Sequence, residues 1–207
     1  MIARRELLTA GLCGLILASS ESGVCAAEDT ASPVATITGL QTALVETARR
    51  LGSADAAQRY RALEPTIVAT HNLPYIAEFA LRRQWAALTE DERGRFVAAF
   101  QRLSVMTYAA RFDKVAADAF RPIEADAPDA NGRVQVTTAI KREGQPDVSL
   151  EYLLQRDGDD WRIINIVADG VSDLALKRAE YQRVFASGGI EGLIAELEQQ
   201  TDRLRGG

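Results

Sequence analysis

Residues 134–168 read VQVTTAIKREGQPDVSLEYLLQRDGDDWRIINIVA, and their periodicity decides the fold. Val134, Val136, Thr138 and Ile140 alternate with more polar residues, the pattern of a half-buried strand. Arg142-Glu143-Gly144-Gln145-Pro146 turns the chain, and Val148, Leu150, Tyr152 and Leu154 repeat the alternation in a further strand. Asp157-Gly158-Asp159-Asp160 is a hairpin loop. Trp161 to Ala168 then carries Trp161, Ile163 and Val167 at one set of positions and Ile164, Ile166 and Ala168 at the other. That doubled pattern predicts a central strand covered on both faces. Upstream, Phe120 to Glu124 predicts an earlier strand, with Asp126 to Gly132 as the turn between. Four antiparallel strands result.

Working outward, both flanks switch to helical spacing. Ser32-Pro33 makes a cap and first-turn pair, after which Ile37, Leu40, Leu44, Ala48 and Leu51 recur until Gly52. Ser53 to about His71 predicts a second helix that Pro65 should kink or split. Asn72-Leu73-Pro74 breaks the chain before a third helix, Tyr75 to Leu88. Thr89-Glu90-Asp91-Glu92 is a capping box. It opens a long helix to about Val115, so broadly apolar that it must be covered on more than one side or border a cavity. After the strands, Gly170-Val171-Ser172 ends the sheet, and Ser172 or Asp173 caps a helix through Tyr181 to Phe185. Gly188-Gly189 interrupts it, and a last helix carries Ile190, Leu193, Ile194, Leu197 and Leu204. The class is α+β: a helical N-terminal half packed on a four-stranded antiparallel sheet, with C-terminal helices.

Residues 1–27 read as a removable signal peptide. Arg4-Arg5 precedes an apolar run from Leu7 to Ala18, shorter than the roughly 20 residues a spanning helix needs, and Cys25-Ala26-Ala27 supplies small residues for a cut. Arg4-Arg5 also leaves twin-arginine export open, while Val24 fits poorly into a lipidation motif around Cys25. Residues 28–207 are then one domain. Both cysteines, Cys13 and Cys25, leave with the signal, which removes thiolate and disulfide chemistry. The formal charge is −5, without a basic tract, and argues against a nucleic-acid partner.

Catalytic candidates are sparse. His71 is the only histidine, placed at a helix end where a cation would suit the dipole. No Gly-x-Ser-x-Gly elbow accompanies it. Asp157, Asp159 and Asp160 lack the glycine and closing glutamate of a calcium loop. Glu90 and Glu92 are explained by capping. No metal-ligand spacing and no cofactor motif appear. Arginine dominates the positive charge, and Arg82-Arg83 and Lys177-Arg178 flank apolar surfaces where a head group or partner could bind, although a solvated face explains them as well.

Gly158-Asp159-Asp160-Trp161-Arg162-Ile163-Ile164-Asn165-Ile166-Val167, then Gly170-Val171-Ser172, Arg178 and Gly188-Gly189-Ile190-Glu191-Gly192-Leu193-Ile194, resemble the MlaC, or toluene-tolerance auxiliary, family. The likeness extends to Trp85, the Phe96 to Phe100 helix and Thr107-Tyr108-Ala109. It implies a periplasmic lipid carrier that serves an inner-membrane lipid transporter and an outer-membrane lipoprotein complex, works without a cofactor, and is a monomer rather than an enzyme. Asn165 stands where the wider family commonly has Asp; with Ala168 to Arg178 it is similar to the HpnM subgroup associated with hopanoid biosynthesis. The departure puts phospholipid in doubt as the ligand and leaves a hopanoid or another amphiphile.

The expected lipid-binding wall is Phe79, Phe96, Phe100, Leu103, Tyr108, Val136, Leu150, Tyr152, Ile164 and Ile166, with Gly170 and Ser172 at the rim. From pattern alone these residues could equally fill a core. Two rivals remain at this stage. One is a small enzyme with an apolar pocket, for which Asp113 or Tyr108 would be the acid or base. The other is a chaperone for acylated proteins.

Overall fold

The structure, a computed structural model, describes residues 32–206. The signal-peptide reading and the domain's N-terminal boundary lie outside those residues. Helices α1 (Pro33–Leu51), α2 (Ala56–Thr70), α3 (Leu73–Leu81) and α4 (Glu90–Arg111) come first. A meander of β1 (Glu124–Ala125), β2 (Val134–Arg142), β3 (Gln145–Asp157), β4 (Asp160–Ala168) and β5 (Val171–Ser172) follows, and α5 (Asp173–Gly206) closes the chain. The class is α+β, with five strands in sequence order, each antiparallel to its neighbours, instead of four.

Local chemistry starts each helix. The Ala35 amide donates to Ser32 Oγ at 3.0 Å, and the Gln58 amide donates to Asp55 Oδ1 at 2.7 Å. Asp55 thus displaces Ser53 as the start of α2. Pro65 stays inside α2. The capping box is complete: the Thr89 amide donates to Glu92 Oε2 at 2.7 Å and the Glu92 amide to Thr89 Oγ1 at 3.2 Å. α3 ends seven residues before the expected Leu88, because Arg82 takes a positive φ of 45° and a short 3-10 turn, Trp85–Ala87, replaces the last coil. α4 likewise stops at Arg111, short of Val115. In α5 the backbone leaves the helical region at Gly189 (φ 63°, ψ −162°), a conformation that suits glycine.

The expected first strand is interrupted. Phe120 bridges Ile140, and pairing resumes only at Glu124 and Ala125 against Thr137 and Val136. Between them lies Pro122, which has no amide hydrogen to give a ladder. Gly170-Val171-Ser172 does not simply end the sheet. Asp169 and Gly170, with φ of 48° and 79°, form a two-residue turn that returns Val171 and Ser172 to pair with Ala168 and Val167.

β4 also departs from the two-faced reading. Leu154 pairs with Ile163, but Leu153 pairs with Asn165, so Ile164 is an extra residue and the strand bulges there. Beyond the bulge Ile166 opposes Tyr152 and Ala168 opposes Leu150. Directly opposed residues share a face. Trp161, Ile163, Ile166 and Ala168 therefore look to one side with Leu154, Tyr152 and Leu150, and that side meets the helices. β4 is not the central strand either: β3 is, with β2 and β4 on its flanks.

Two apolar clusters hold the molecule together. In the first, Ile37, Leu40 and Leu44 of α1 and Leu63 and Ile67 of α2 pack with Val105 and Met106 of α4 on Val134, Val136, Leu154 and Ile163 of the sheet. In the second, α3 and α5 meet the N-terminal half of α4 around Leu81, Phe96, Phe100, Tyr181, Leu193 and Leu197. Helix α4 belongs to both, as its broad apolar surface requires.

Candidate functional site

A cavity of ≈ 220 Å³ lies where the two clusters part. Leu73 and Ile76 of α3, Phe100, Ser104, Thr107 and Tyr108 of α4, Leu150 and Tyr152 of β3, Ile163, Ile164 and Ile166 of β4, and Leu174 of α5 line it. The charged lining residues are exposed or half-buried: Arg111 at the end of α4, and Asp173 with Lys177 on the first turn of α5, their Oδ2 and Nζ 2.6 Å apart. Aliphatic walls thus open toward a charged mouth.

Six of the ten expected wall residues line this cavity: Phe100, Tyr108, Leu150, Tyr152, Ile164 and Ile166. Four do not. Phe96 is fully buried among Trp85, Phe100 and Tyr181, edge-on to Tyr181 at 6.0 Å between ring centroids. Leu103 belongs to the α3–α4–α5 core and Val136 to the α1–sheet core. Phe79 is on the outer side of α3, where Arg82 and Arg178 lie over its ring at 4.7 and 5.9 Å. Of the two basic pairs noted in the sequence, Arg82-Arg83 and Arg178 meet at Phe79, whereas Lys177 pairs with Asp173 at the cavity.

Gly170 and Ser172 are not lining residues; Asp173 and Leu174, which follow Ser172, are. Gly170 sits in the β4–β5 turn with nothing within 4 Å of where a Cβ would stand. Ser172 Oγ receives the Ala175 amide at 3.2 Å and donates to Asn165 Oδ1 at 3.0 Å. Asn165 Oδ1 also accepts from the Leu174 amide at 3.3 Å. Asn165 thus serves as an acceptor that starts α5, a role open to a carboxylate too, and it also lines the cavity.

His71 caps the C-terminal end of α2, the helix-end position the sequence predicts, but it faces inward. It is 4% exposed, its ring lines the cavity, and Nε2 lies 2.9 Å from the Tyr108 hydroxyl. Burial pulls its pKa down to about 4, so it is neutral at physiological pH and not the helix-end cation expected. The same burial pushes the Tyr108 hydroxyl well above its ordinary range and raises Tyr152. A general acid or base works best with a pKa near the operating pH. Burial moves His71 and Tyr108 in opposite directions away from it, which suits hydrogen bonding better than proton transfer. Asp113, the other nominated acid, is not a lining residue. Asp157 and Asp160 sit against Arg162, at 3.2 and 3.6 Å.

With this geometry in view, the family model described as MlaC protein matches residues 40–199, from within α1 to within α5. This chain belongs to the MlaC family. The match spans every lining residue of the cavity. Among solved structures, this MlaC chain is similar to the phospholipid-binding protein from Ralstonia solanacearum, determined in complex with a phospholipid at 1.53 Å. The TM-score is 0.70 at 19% identity, over 84% of this chain and 99% of that one. At that identity the likeness is one of fold.

Proposed function

We propose that this MlaC-family protein is a periplasmic lipid carrier that shuttles a hopanoid or a phospholipid between an inner-membrane transporter and an outer-membrane lipoprotein complex. The observation that carries the reading is the cavity: aliphatic and aromatic walls between α3, α4 and the sheet, with charge confined to Arg111, Asp173 and Lys177. Such a site covers lipid tails and leaves a polar head at the mouth. The Ralstonia solanacearum protein, named as phospholipid-binding, supports a lipid as cargo. The hopanoid alternative rests on the likeness of residues 168–178 to the HpnM subgroup.

Energetics explain why a carrier needs partners. Each buried methylene contributes about 0.8 kcal/mol, so a chain of about 16 carbons resists leaving by roughly 12 kcal/mol. Release therefore requires an acceptor or an opening of the walls. Small-molecule sites typically span about 300–1,000 Å³, so a two-chain lipid would need α3 and α5 to move off the sheet. The two apolar clusters, joined mainly through α4, provide a seam for that motion.

Uptake of a fluorescent phospholipid from donor vesicles tests the reading. Ile166 is half-buried and lines the cavity, whereas Phe100 is 1% exposed in the core, so Ile166→Asp is the milder way to place a charge there. Ile166→Asp should abolish uptake while circular dichroism stays native. Uptake by Ile166→Asp at the wild-type rate would place the lipid elsewhere.

A further inference from the structure

The cavity is not uniformly greasy, and its polar lining has a definite hydrogen-bonding sense. His71 Nδ1 lies 3.1 Å from the carbonyl oxygen of Ile67, which can only accept. Nδ1 must therefore carry the ring hydrogen. Thr70 Oγ1, 3.0 Å away, shares it, because the Thr70 hydroxyl already donates to Thr66 O at 2.7 Å. Nε2 is then a bare lone pair, and the Tyr108 hydroxyl, 2.9 Å away, must donate to it. The Tyr108 proton is committed, and its oxygen can only accept from anything else that enters.

Tyr152 is the opposite case. It comes from β3, is 4% exposed and lines the same cavity. Its hydroxyl has no hydrogen-bond partner among the described residues, and burial alone accounts for its raised pKa. Its proton is free to donate into the cavity.

The Tyr152 donor and the Tyr108 acceptor thus line the same cavity from opposing elements, with Ser104, Thr107 and Asn165 as further polar lining residues. An ester carbonyl or a phosphate oxygen would answer Tyr152 but confront the Tyr108 oxygen with a second acceptor. An ammonium would donate to either phenolic oxygen but leave the Tyr152 proton without an acceptor. A hydroxyl answers both. Building on the carrier reading above, we propose that the cavity holds a hydroxyl-recognition point, at which Tyr152 donates to and Tyr108 accepts from a hydroxyl group of the bound lipid. The site thereby selects alcohol-bearing amphiphiles over those whose buried portion is hydrocarbon alone. A trapped water would satisfy the same pair, and the experiment below separates it from a ligand.

Displacement of the fluorescent probe 1-anilinonaphthalene-8-sulfonate from purified protein by 1-dodecanol and by dodecane tests this in wild type and Tyr152→Phe. The variant removes only the oxygen, and a thermal melt checks its fold. Losing the hydrogen bond should weaken dodecanol by about three- to ten-fold and change dodecane by less than about two-fold. Equal changes for both ligands would mean that the tyrosine holds water, and would overturn the proposal. Normalised to transfer from water into hexadecane, dodecanol should also bind wild type more tightly than dodecyl methyl ether, which accepts but cannot donate. Equal normalised affinities would reduce the point to a plain donor and overturn the hydroxyl assignment. Failure of all three ligands to displace the probe would overturn the carrier reading itself.

Discussion

His71 concentrates the residue-scale physics. In the unfolded chain it titrates near 6.5, and in the folded protein burial lowers it to about 4. Between those values the unfolded state binds the extra proton and the folded state does not. Stability is therefore intact above pH 6.5 and declines as pH falls through that window, by about 3 kcal/mol in all. Urea unfolding at pH 7.5 and pH 4.5 should show a loss in wild type that is largely absent in His71→Phe; equal losses would mean that His71 does not titrate this way. Gly170 makes a second residue-scale case. Its φ of 79° lies where an L side chain costs about 1–2 kcal/mol, although no atom blocks a Cβ. Gly170→Ala should lower stability by about that amount through the backbone alone, while lipid uptake at a permissive temperature stays normal, because Gly170 does not line the cavity. Slowed uptake in the fully folded variant would restore the turn to the rim. The burial of His71 was not legible in the sequence. His71 is the helix-end residue it looked like, but nothing in the chain order reveals that Tyr108, far along another helix, closes over it.

At the scale of elements, caps and turns were the most readable features, because their signals are local. Thr89 and Glu92 form the expected box, and Ser32 caps α1. Thr89→Ala should cost about 1 kcal/mol, measurable as a lower unfolding midpoint with unchanged slope. The tie between α2 and α4 carried no such signal. Arg59 is 9% exposed, donates through Nε to Ala109 O at 2.7 Å, and through its Nη1 reaches the carbonyl oxygens of Ala54 and Gly52. It satisfies three backbone acceptors where the α1–α2 link meets the end of α4. Arg59→Leu keeps bulk but abandons those carbonyls and should cost about 2–3 kcal/mol; a change below 0.5 kcal/mol, the range of ordinary surface substitutions, would show that water replaces the guanidinium. The strands were legible in number and order only where alternation held. The bulge at Ile164 shifts the period by one, so Ile166 and Ala168, read as facing away from Ile163, share its side.

For the whole molecule, the difference between a core and a cavity is what sequence periodicity cannot express. Phe96 and Phe100 lie one helical turn apart on the same face of α4 and both meet Tyr181 edge-on, yet only Phe100 also lines the cavity. Both demand apolar side chains; only the spacing between α3, α4, α5 and the sheet distinguishes them, and that spacing is a tertiary fact. The polar lining was missed for the same reason: His71, Asn165 and Thr107 come from three separate elements and converge only in the fold. On the proposed carrier function the protein is a vessel: two apolar clusters joined through α4, a cavity between them to take a lipid, and charge at the mouth. Native mass spectrometry of the wild-type protein purified from the periplasm without detergent tests that account most directly. The carrier function predicts a protein peak accompanied by one whose added mass matches a single lipid, released intact on activation; a folded protein that carries no lipid mass at all would contradict it.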